Sequence, residues 1–304
     1  MTTKISIIIL NWNNWRDTIN CLNSLASNDK KLFNVVLIDN GSCDDSLSQL
    51  RQWQVSHDIS LKILTLNENK GFAEGNNIGI REALKDNCEF ILLLNNDTIV
   101  EPDCLSILSD SISSDIGIVS PKIMFYPDKN KIWFVGGRFY PIFKKPYHSF
   151  YNQYDSGQVK EISEVDWVSG CCLLAKREVL EKIGLLDPDY FNNYEDVDFC
   201  VRARKAGYRI VVNPRAQIYH KFAASMGGKH SPFYTYFRTR NNLLFFKKTG
   251  QILPLFLNLF SFPVYAFLVS IKNRDWQGVK AVFLAIYDFL RGNYGIGSAK
   301  QFQK

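Results

Sequence analysis

Several motifs that define common α/β enzymes are missing from this chain of 304 residues. No glycine follows the first apolar run, ISIIIL (5–10), so the GxGxxG loop of a nicotinamide-binding Rossmann domain is not found there. No GxxxxGKS/T phosphate-binding loop occurs, and no internal repeat is evident. These absences disfavour nicotinamide-dependent dehydrogenases and P-loop nucleotide hydrolases.

Paired cysteines and a cleavable signal are also missing. The seven cysteines are scattered and none forms a CxxC pair, which argues against zinc ribbons and redox motifs. This pattern favours a reduced, cytosolic compartment. The N-terminal MTTKISIIIL has only a short apolar run and no small-residue cleavage site. We therefore expect a first strand there and no signal peptide.

Acidic residues are scarce in the last third of the chain. Residues 203–304 contain 16 Lys and Arg but only two acids, Asp275 and Asp288, for a net charge of +14. Residues 1–202 contain 20 bases and 28 acids, a net charge of −8, so the whole chain carries +6. The basic third predicts a polyanionic neighbour, which can be nucleic acid, an anionic membrane face or a phosphorylated substrate.

Apolar runs alternate with helical patterns through the first hundred residues. Four runs predict strands, at 5–10, 35–39, 61–66 and 90–95. Helical patterns lie between them, near 14–27, 44–54 and 73–85. Alternation with short links predicts an α/β fold whose mostly parallel central sheet is covered by helices on both faces.

Polar residues collect where each of these strands ends. The four clusters are NWNN (11–14), DNGS (39–42), NENKGFAEGNN (67–77) and NND (95–97). Ligands bind beyond the carboxyl ends of parallel strands, so the four clusters together predict one crevice. Each cluster alone is also typical of an ordinary loop.

A second acidic cluster begins the segment FNNYEDVDFCVRARKAGYRI (191–210). The pattern predicts a helix that is capped by Asn192 or Asn193 and ends at Gly207. Acids in its first turn are favoured by the helix dipole, which is a structural explanation for the whole cluster.

Spacing separates the acids of this cluster. Asp198 has Arg202 four positions later, which predicts an ion pair on one helix face. Asp196 has no cation at that offset, and neither does Glu195, which faces Asp198. An acid without a local partner is the better candidate for proton transfer, and we assign that role to Asp196.

His220 follows the pattern RIVVNPRAQIYH (209–220) and is expected at another strand end. Neutral imidazole is a good ligand for a divalent ion, although a lone histidine is more often structural or exposed. A Ser-Met-Gly-Gly stretch (225–228) follows, and we expect it to be flexible.

The run ILPLFLNLFSFPVYAFLVSI (252–271) holds 20 residues without charge. A bilayer span takes about 20 residues. Pro254 and Pro263 interrupt the run, and cations flank both of its ends, so we predict kinked interfacial or re-entrant helices in the cytosolic leaflet. A packed core or a dimer surface is the alternative. An uncharged run inside a basic region favours lipid over nucleic acid as the neighbour.

With these motifs in order, the chain resembles a family 2 glycosyltransferase of the GT-A fold, in the rhamnosyltransferase-like branch. The resemblance covers about residues 4–250 and includes SIIILNWNN, VVLIDNGSCDDS, NENKGFAEGNNIG, LLLNNDTIV, WVSGCCLLAKREVLEKIGLLDPDYFNNYEDVDFCVRARKAGY and YHKFAAS. It implies a GT-A catalytic domain over 1–230, with a nucleotide-sugar half at about 1–100 and an acceptor half at about 101–230. It also implies a basic and hydrophobic helical C-terminal region over 231–304, at a membrane.

The resemblance implies a metal site and a donor pocket. LLLNNDTIV stands where the family usually has a DxD motif, whose last acid holds Mn2+ or Mg2+. Asp97 matches that acid, Asn95 replaces the first one, and His220 matches a histidine that completes the metal ligands. The positions implied to bind the nucleotide are Asn11, Asp39, Asn69, Asn76, Asn95 and Asp97.

On the acceptor side, Asp196 matches the second acid of the family's ED motif, the general base. Gly170, Glu195, Arg238 and Arg240 are expected near the acceptor or the diphosphate. For the two arginines, a solvated or headgroup-facing cation is the alternative.

Together these residues predict an inverting, metal-dependent glycosyltransferase on the cytoplasmic side of the membrane, peripheral or monotopic, in cell-surface polysaccharide synthesis. The implied donor is dTDP-rhamnose first, then UDP- or GDP-sugars, and the acceptor is a lipid-linked saccharide. A sugar-nucleotide-binding module without catalysis is disfavoured because Asp97, Asp196 and His220 are all present. A nucleotidyltransferase is disfavoured because NWNNWRDT is not a glycine- and arginine-rich phosphate loop. The oligomeric state stays open.

Overall fold

The computed structural model describes residues 4–141, 143–221 and 231–302. These residues form an α/β domain followed by a helical C-terminal region. The Ser-Met-Gly-Gly stretch and the last four residues of YHKFAAS (222–225) lie outside the described residues. The predicted domain boundary at 230–231 borders the same gap.

The regular elements follow one another in a simple order. The strands are β1 (Ile5–Asn11), β2 (Phe33–Asp39), β3 (Leu61–Thr65), β4 (Phe90–Asn95), β5 (Thr98–Val100), β6 (Ile116–Phe125), β7 (Ile132–Phe134), β8 (Gly137–Phe139), β9 (Pro146–His148), β10 (Ser163–Glu164), β11 (Cys172–Lys176) and β12 (Arg209–His220). The helices are α1 (Trp15–Leu25), α2 (Ser46–Ser56), α3 (Gly71–Ala83), α4 (Cys104–Asp110), α5 (Arg177–Ile183), α6 (Glu195–Lys205), α7 (Pro232–Thr249), α8 (Ile252–Asn273) and α9 (Trp276–Arg291).

One ten-stranded sheet carries the domain, in the order β10-β12-β6-β11-β4-β1-β2-β3, with β5 beside β12 and β7 beside β6. The longest ladders are parallel, namely β1 with β2 and β4, and β6 with β12. β11 is antiparallel between β4 and β6. The predicted α/β fold with a mostly parallel central sheet is therefore confirmed.

The predicted strand–helix alternation of the first hundred residues is also confirmed. β1 and β4 are continuous apolar runs because both of their faces are buried. Their registers pair Asn11 with Asp39 and Leu10 with Asn95. The polar residues that end β1, β2 and β4 therefore lie at one edge of the sheet, as expected.

The predicted cap of the helix after residue 191 is wrong. α6 begins at Glu195, and Tyr194 precedes it with a left-handed φ of 77° and no side-chain cap bond. Phe191 and Asn193 are also left-handed, with φ of 61° and 69°. Contacts from distant elements set this conformation, so local capping rules do not apply. Gly207, with φ of 95°, follows the helix as predicted.

The segment before α6 is joined to the first turn of α3. The Phe191 carbonyl accepts hydrogen bonds from the backbone N–H groups of Phe72 (2.6 Å) and Ala73 (3.2 Å). Gly71 has φ of 81°, and a Cβ there would lie 2.6 Å from the Phe191 ring and carbonyl oxygen. Only glycine permits this close approach of α3 to the segment before α6.

The C-terminal helices differ in exposure. α7 is buried along much of its length. α8 is long and apolar enough, by length and composition, to cross a membrane, and only 17% of its most apolar stretch is buried. Its exposed side chains include Leu253, Phe256, Phe260, Val264, Phe267 and Leu268. Residues 252–271 therefore do not form a packed core in this fold, contrary to that alternative.

Candidate active site

The ends of β1 and β2 hold a buried carboxylate in a fixed orientation. Asp39 Oδ1 accepts hydrogen bonds from Asn11 Nδ2 (2.9 Å) and Ser42 Oγ (2.5 Å). Thr18 Oγ1 in turn donates to Asn11 Oδ1 (2.8 Å), which fixes the amide. Asn11 and Asp39, both predicted at the donor nucleotide, therefore form one rigid polar group.

Asn69 joins this group through Asn40, a residue that the sequence reasoning had not singled out. Asn40 Nδ2 donates to Asn69 Oδ1 (2.9 Å), which also accepts from the Gly71 N–H (2.8 Å). Asn76 lies apart, buried within α3, where its Nδ2 donates to the Phe72 carbonyl (2.8 Å). A role for Asn76 at the nucleotide stays a prediction.

Asp97 and His220 face each other, as expected for two ligands of one ion. Asp97 Oδ1 lies 3.1 Å from His220 Nε2, and each residue is only 5% exposed. The antiparallel pairing of β5 with β12 places His220 opposite Thr98 and thereby brings the two together. The edge of the Trp133 ring system packs against the imidazole, with centroids 4.4 Å apart.

This pair fits a divalent cation. Neighbouring ligands of an octahedral ion with bonds of about 2.1 Å lie about 3 Å apart, close to the separation of these two atoms. A carboxylate oxygen is a preferred ligand of Mn2+ and Mg2+, and an imidazole nitrogen is a common ligand of divalent metal ions. Within the described ranges, no group of three or more His, Cys, Asp and Glu forms a metal cage.

Charge around Asp97 keeps it ionised. Burial by itself raises the pKa of Asp97, but His220 and, more weakly, Lys221 outweigh burial and hold the pKa below its usual range. The sequence analysis did not assign Lys221 to the site, although its position directly after His220 indicated a cation near the proposed metal ligands. Its backbone N–H donates to the Asp97 carbonyl (2.9 Å), and its Nζ pairs with Asp17 (2.7 Å).

The two asparagines before Asp97 make different contacts. Asn96 Nδ2 donates to Thr18 Oγ1 (2.9 Å) and so faces α1. Asn95 is half-buried at the end of β4, and its backbone N–H donates to the Cys171 carbonyl (2.9 Å). The nucleotide role of Asn95 stays a prediction.

Asp196 is held by backbone donors on both oxygens. Gly170 N–H donates to Asp196 Oδ2 (2.9 Å), and Val197 N–H donates to Oδ1 (2.8 Å). Burial raises the pKa of Asp196, and these N–H groups oppose the rise only in part. A Cβ on Gly170 would lie 3.1 Å from the Phe72 ring, so a larger residue there would press on that ring.

The peptide segment 170–172 lies between Asp196 and Asp97. Its Gly170 N–H binds Asp196, while its Cys171 carbonyl accepts from Asn95, two residues before Asp97. Burial raises the pKa of the Cys171 thiol, and the charges of Asp97 and Asp196 both raise it further. The predicted metal pair and the predicted base thus lie at one edge of the sheet.

Glu195 and Asp198, both in the first turn of α6, differ in their partners. Glu195 is 4% exposed, and its Oε2 has no hydrogen-bond partner in the part of the chain that the structure describes. Burial and then the charge of Asp196 raise the pKa of Glu195 well above its usual value. Asp198 accepts from Arg202 Nε (2.7 Å), so the predicted ion pair is confirmed.

The two arginines predicted near the diphosphate differ in position. Arg238 is exposed on α7. Burial, and then the charge of Arg238, lower the pKa of Lys145. Burial raises the pKa of Tyr194 to about 12, and the Asn242 hydrogen bond and the charge of Arg238 oppose that rise. Arg240 has no exposed surface, and its guanidinium donates to backbone carbonyls, including that of Gly295 (2.6 Å). Arg240 therefore supports the protein interior here and does not face an open crevice.

Comparison with known proteins defines the class. The fold is that of GT-A glycosyltransferases. It matches a mannosyltransferase from Pyrobaculum calidifontis, in complex with GDP-Man and Mn2+, with a TM-score of 0.60 at 16% identity, over 99% of this chain and 78% of the other. It also matches TarS from S. aureus, in complex with UDP-GlcNAc, with a TM-score of 0.56 at 16% identity, over 96% and 93% of the two chains.

The family follows from the sequence match. The model of glycosyl transferase family 2 matches residues 6–184, and the chain belongs to this family of glycosyltransferases. It is 24% identical to a dTDP-rhamnosyl transferase of Shigella flexneri, over 98% of this chain and 99% of that protein. It is 27% identical to a low-salt glycan biosynthesis hexosyltransferase of Haloferax volcanii, over 93% and 86%. The predicted family and the likeness to its rhamnosyltransferase branch are confirmed.

The raised pKa of Glu195 gives a stability prediction. A folded-state pKa above the unfolded value means that stability is present below the unfolded pKa, about 4.3 for Glu, and is lost as the pH rises through the folded pKa. We expect Glu195→Gln to raise the urea midpoint at pH 8, and the gain to shrink towards pH 5.

Asp198→Asn is the matched control for this measurement. It breaks the ion pair with Arg202 and should lower stability at pH 8 by about 1–3 kcal/mol. A lower midpoint for Glu195→Gln at pH 8 would contradict the electrostatic description of Glu195.

Proposed function

We propose that this glycosyltransferase moves a sugar, with inversion, from a nucleoside-diphosphate sugar to a hydroxyl of a lipid-linked saccharide. The observation that carries the proposal is the position of segment 170–172, which holds Asp196 on one side and adjoins Asn95 and Asp97 on the other. This arrangement supports a single crevice with a cation-binding pair and a carboxylate base.

The donor belongs at the ends of β1, β2 and β4. Asp39, fixed by Asn11 and Ser42, offers a carboxylate to ribose or base hydroxyl and N–H groups. Asp97 and His220 would hold a divalent ion, which supplies positive charge for the departing diphosphate when bound. Rhamnose on dTDP is our first choice of donor, supported by the relative from Shigella flexneri.

Asp196 would act as the general base. Its raised pKa makes it a stronger base than an exposed aspartate, and two backbone N–H groups aim it. As the acceptor oxygen forms its bond to the anomeric carbon, the bond to the diphosphate breaks and the proton passes to Asp196. One displacement inverts the anomeric configuration and needs no covalent nucleophile from the protein.

The acceptor is proposed to be carried on a lipid diphosphate. A relative 28% identical over 75% of this chain is named N-acetylglucosaminyl-diphospho-decaprenol L-rhamnosyltransferase, from Mycobacterium tuberculosis. The exposed apolar side chains of α8 support contact with a bilayer, and Lys272, Arg274 and Lys280 are exposed cations that suit anionic headgroups. We propose a peripheral or monotopic protein on the cytoplasmic side.

Replacement of the base should separate binding from transfer. We expect Asp196→Asn to lower transfer from dTDP-rhamnose to N-acetylglucosaminyl-diphospho-decaprenol by at least about 100-fold, since positioned bases contribute about 10²–10⁴-fold. Donor affinity, measured by calorimetry, should change less than about twofold because the substitution leaves the contacts of Asp39 with Asn11 and Ser42 intact. A variant that retains full activity would remove Asp196 as the base.

The cation pair gives a binding prediction that does not depend on activity. Mn2+ should tighten the binding of dTDP to the wild-type chain, and Asp97→Asn should abolish that tightening because it removes the anionic ligand. Calorimetric titration of dTDP with and without Mn2+ measures the effect. Asp196→Asn, which leaves the pair intact, should keep it. Equal dTDP affinity with and without Mn2+ in the wild-type chain would contradict the metal role.

Membrane contact predicts binding to vesicles. Burial of one Phe side chain contributes about 1.5–3 kcal/mol, so changing Phe256, Phe260 and Phe267 together to Glu should lower vesicle affinity at least about tenfold. Flotation with vesicles of phosphatidylglycerol and phosphatidylcholine measures this. Val55→Glu, which changes an exposed apolar side chain on α2, is the control and should bind normally. Flotation of the triple variant with wild-type affinity would refute contact through α8.

A further inference from the structure

Asn241, on α7, binds the segment that precedes the catalytic helix. It has no exposed surface, and its Nδ2 lies within hydrogen-bond distance of three backbone carbonyl oxygens. These belong to Tyr190 (2.7 Å), Asn192 (2.7 Å) and Asn193 (2.8 Å). One side-chain amide thus contacts three backbone carbonyls of the loop 189–194.

Arg240 fixes the orientation of that amide. Asn241 Oδ1 accepts from both Nε (3.0 Å) and Nη2 (2.9 Å) of Arg240, so the Asn241 nitrogen must face the loop. Arg240 Nη2 also reaches the carbonyls of Asp189 (3.0 Å) and Tyr190 (3.2 Å). The two side chains together bind four carbonyl oxygens of this loop, those of Asp189, Tyr190, Asn192 and Asn193.

The loop that they hold is strained. Phe191, Asn193 and Tyr194 adopt left-handed φ values, which residues other than glycine keep only when surrounding contacts impose them. Tyr194 directly precedes Glu195 and Asp196 at the start of α6. A change in this loop therefore changes where the Asp196 carboxylate points.

The loop is also attached at two other points, one to α3 and one to α7. The Phe191 carbonyl is bound by the first turn of α3, and Tyr194 OH accepts from Asn242 Nδ2 (2.6 Å). Arg240 is also bound on the side away from the loop. Its Nη1 donates to the Gly295 carbonyl and lies 3.4 Å from Tyr236 OH. Tyr236 OH in turn donates to Asp288. A continuous set of contacts runs from the C-terminal region to the loop.

We propose that Arg240 and Asn241 are positioning residues for the transfer reaction, which orient Asp196 by holding the backbone of the loop 189–194. The inference rests on the proposed role of Asp196 as base. It gives the helical C-terminal region a second task beside membrane contact, since α7 and α9 complete the support of the base. Both side chains are fully buried in the protein, with no exposed surface.

The test uses Asn241→Ala in the full chain. We expect kcat to fall about 10- to 100-fold, because small misplacements of catalytic groups can cost about that much, while dTDP affinity changes less than about twofold. Hydrogen exchange of the 190–198 amides should speed up in the variant. If Asn241→Ala does not fold, Asn241→Asp replaces it, since a carboxylate of the same size cannot donate to the carbonyls.

Asn213→Ala is the matched control, because Asn213 is buried on β12 and donates to Ser111 Oγ (2.8 Å), away from the loop. It should lose comparable stability but keep kcat. A kcat for the Asn241 variants no lower than that of Asn213→Ala would overturn the proposal. Activity in Asp196→Asn would instead overturn the role of Asp196, while unchanged exchange in the loop would show that Asn241 does not hold it.

Discussion

The candidate site depends on the backbone hydrogen bonds of two consecutive residues, Gly170 and Cys171. The N–H of Gly170 binds the Asp196 carboxylate, and the carbonyl of Cys171 binds the end of β4 at Asn95. Because backbone groups make both bonds, the position of the proposed base relative to the end of β4 depends on the pairing of β11 with β4. A short strand that is antiparallel to its neighbours thus connects the two parts of the candidate site.

The site is built at a cost to stability. Glu195 is buried beside Asp196 with an unsatisfied oxygen, and the loop before α6 is left-handed at Phe191, Asn193 and Tyr194. Each feature is unfavourable alone and persists because the surrounding structure imposes it. Buried donors on α7 supply much of that support. The C-terminal helices of this family 2 glycosyltransferase therefore contact the loop before α6 as well as, in our proposal, the membrane.

Sequence predicts the parts of this structure that local patterns determine. Apolar runs and the polar residues after them located β1, β2 and β4 and brought Asn11, Asp39 and Asp97 to one edge, because parallel strands share a direction. The i to i+4 spacing likewise located the Asp198–Arg202 pair. Capping at Asn192 or Asn193 failed because distant contacts from α3 and α7 set that loop. Arg240 could not be recognised as buried, since a basic aromatic helix has the same pattern whether it faces solvent or packs inside.

The central claim is that the sugar lies between two groups. Asp97 and His220 are on one side of it, and Asp196 is on the other. A crystal structure with Mn2+ and a non-transferable analogue of dTDP-rhamnose tests it most directly. The account predicts that the ion binds Asp97 and His220, and that the Asp196 carboxylate lies across the anomeric carbon from the diphosphate. A sugar bound in a cavity that Asp196 does not reach would contradict it.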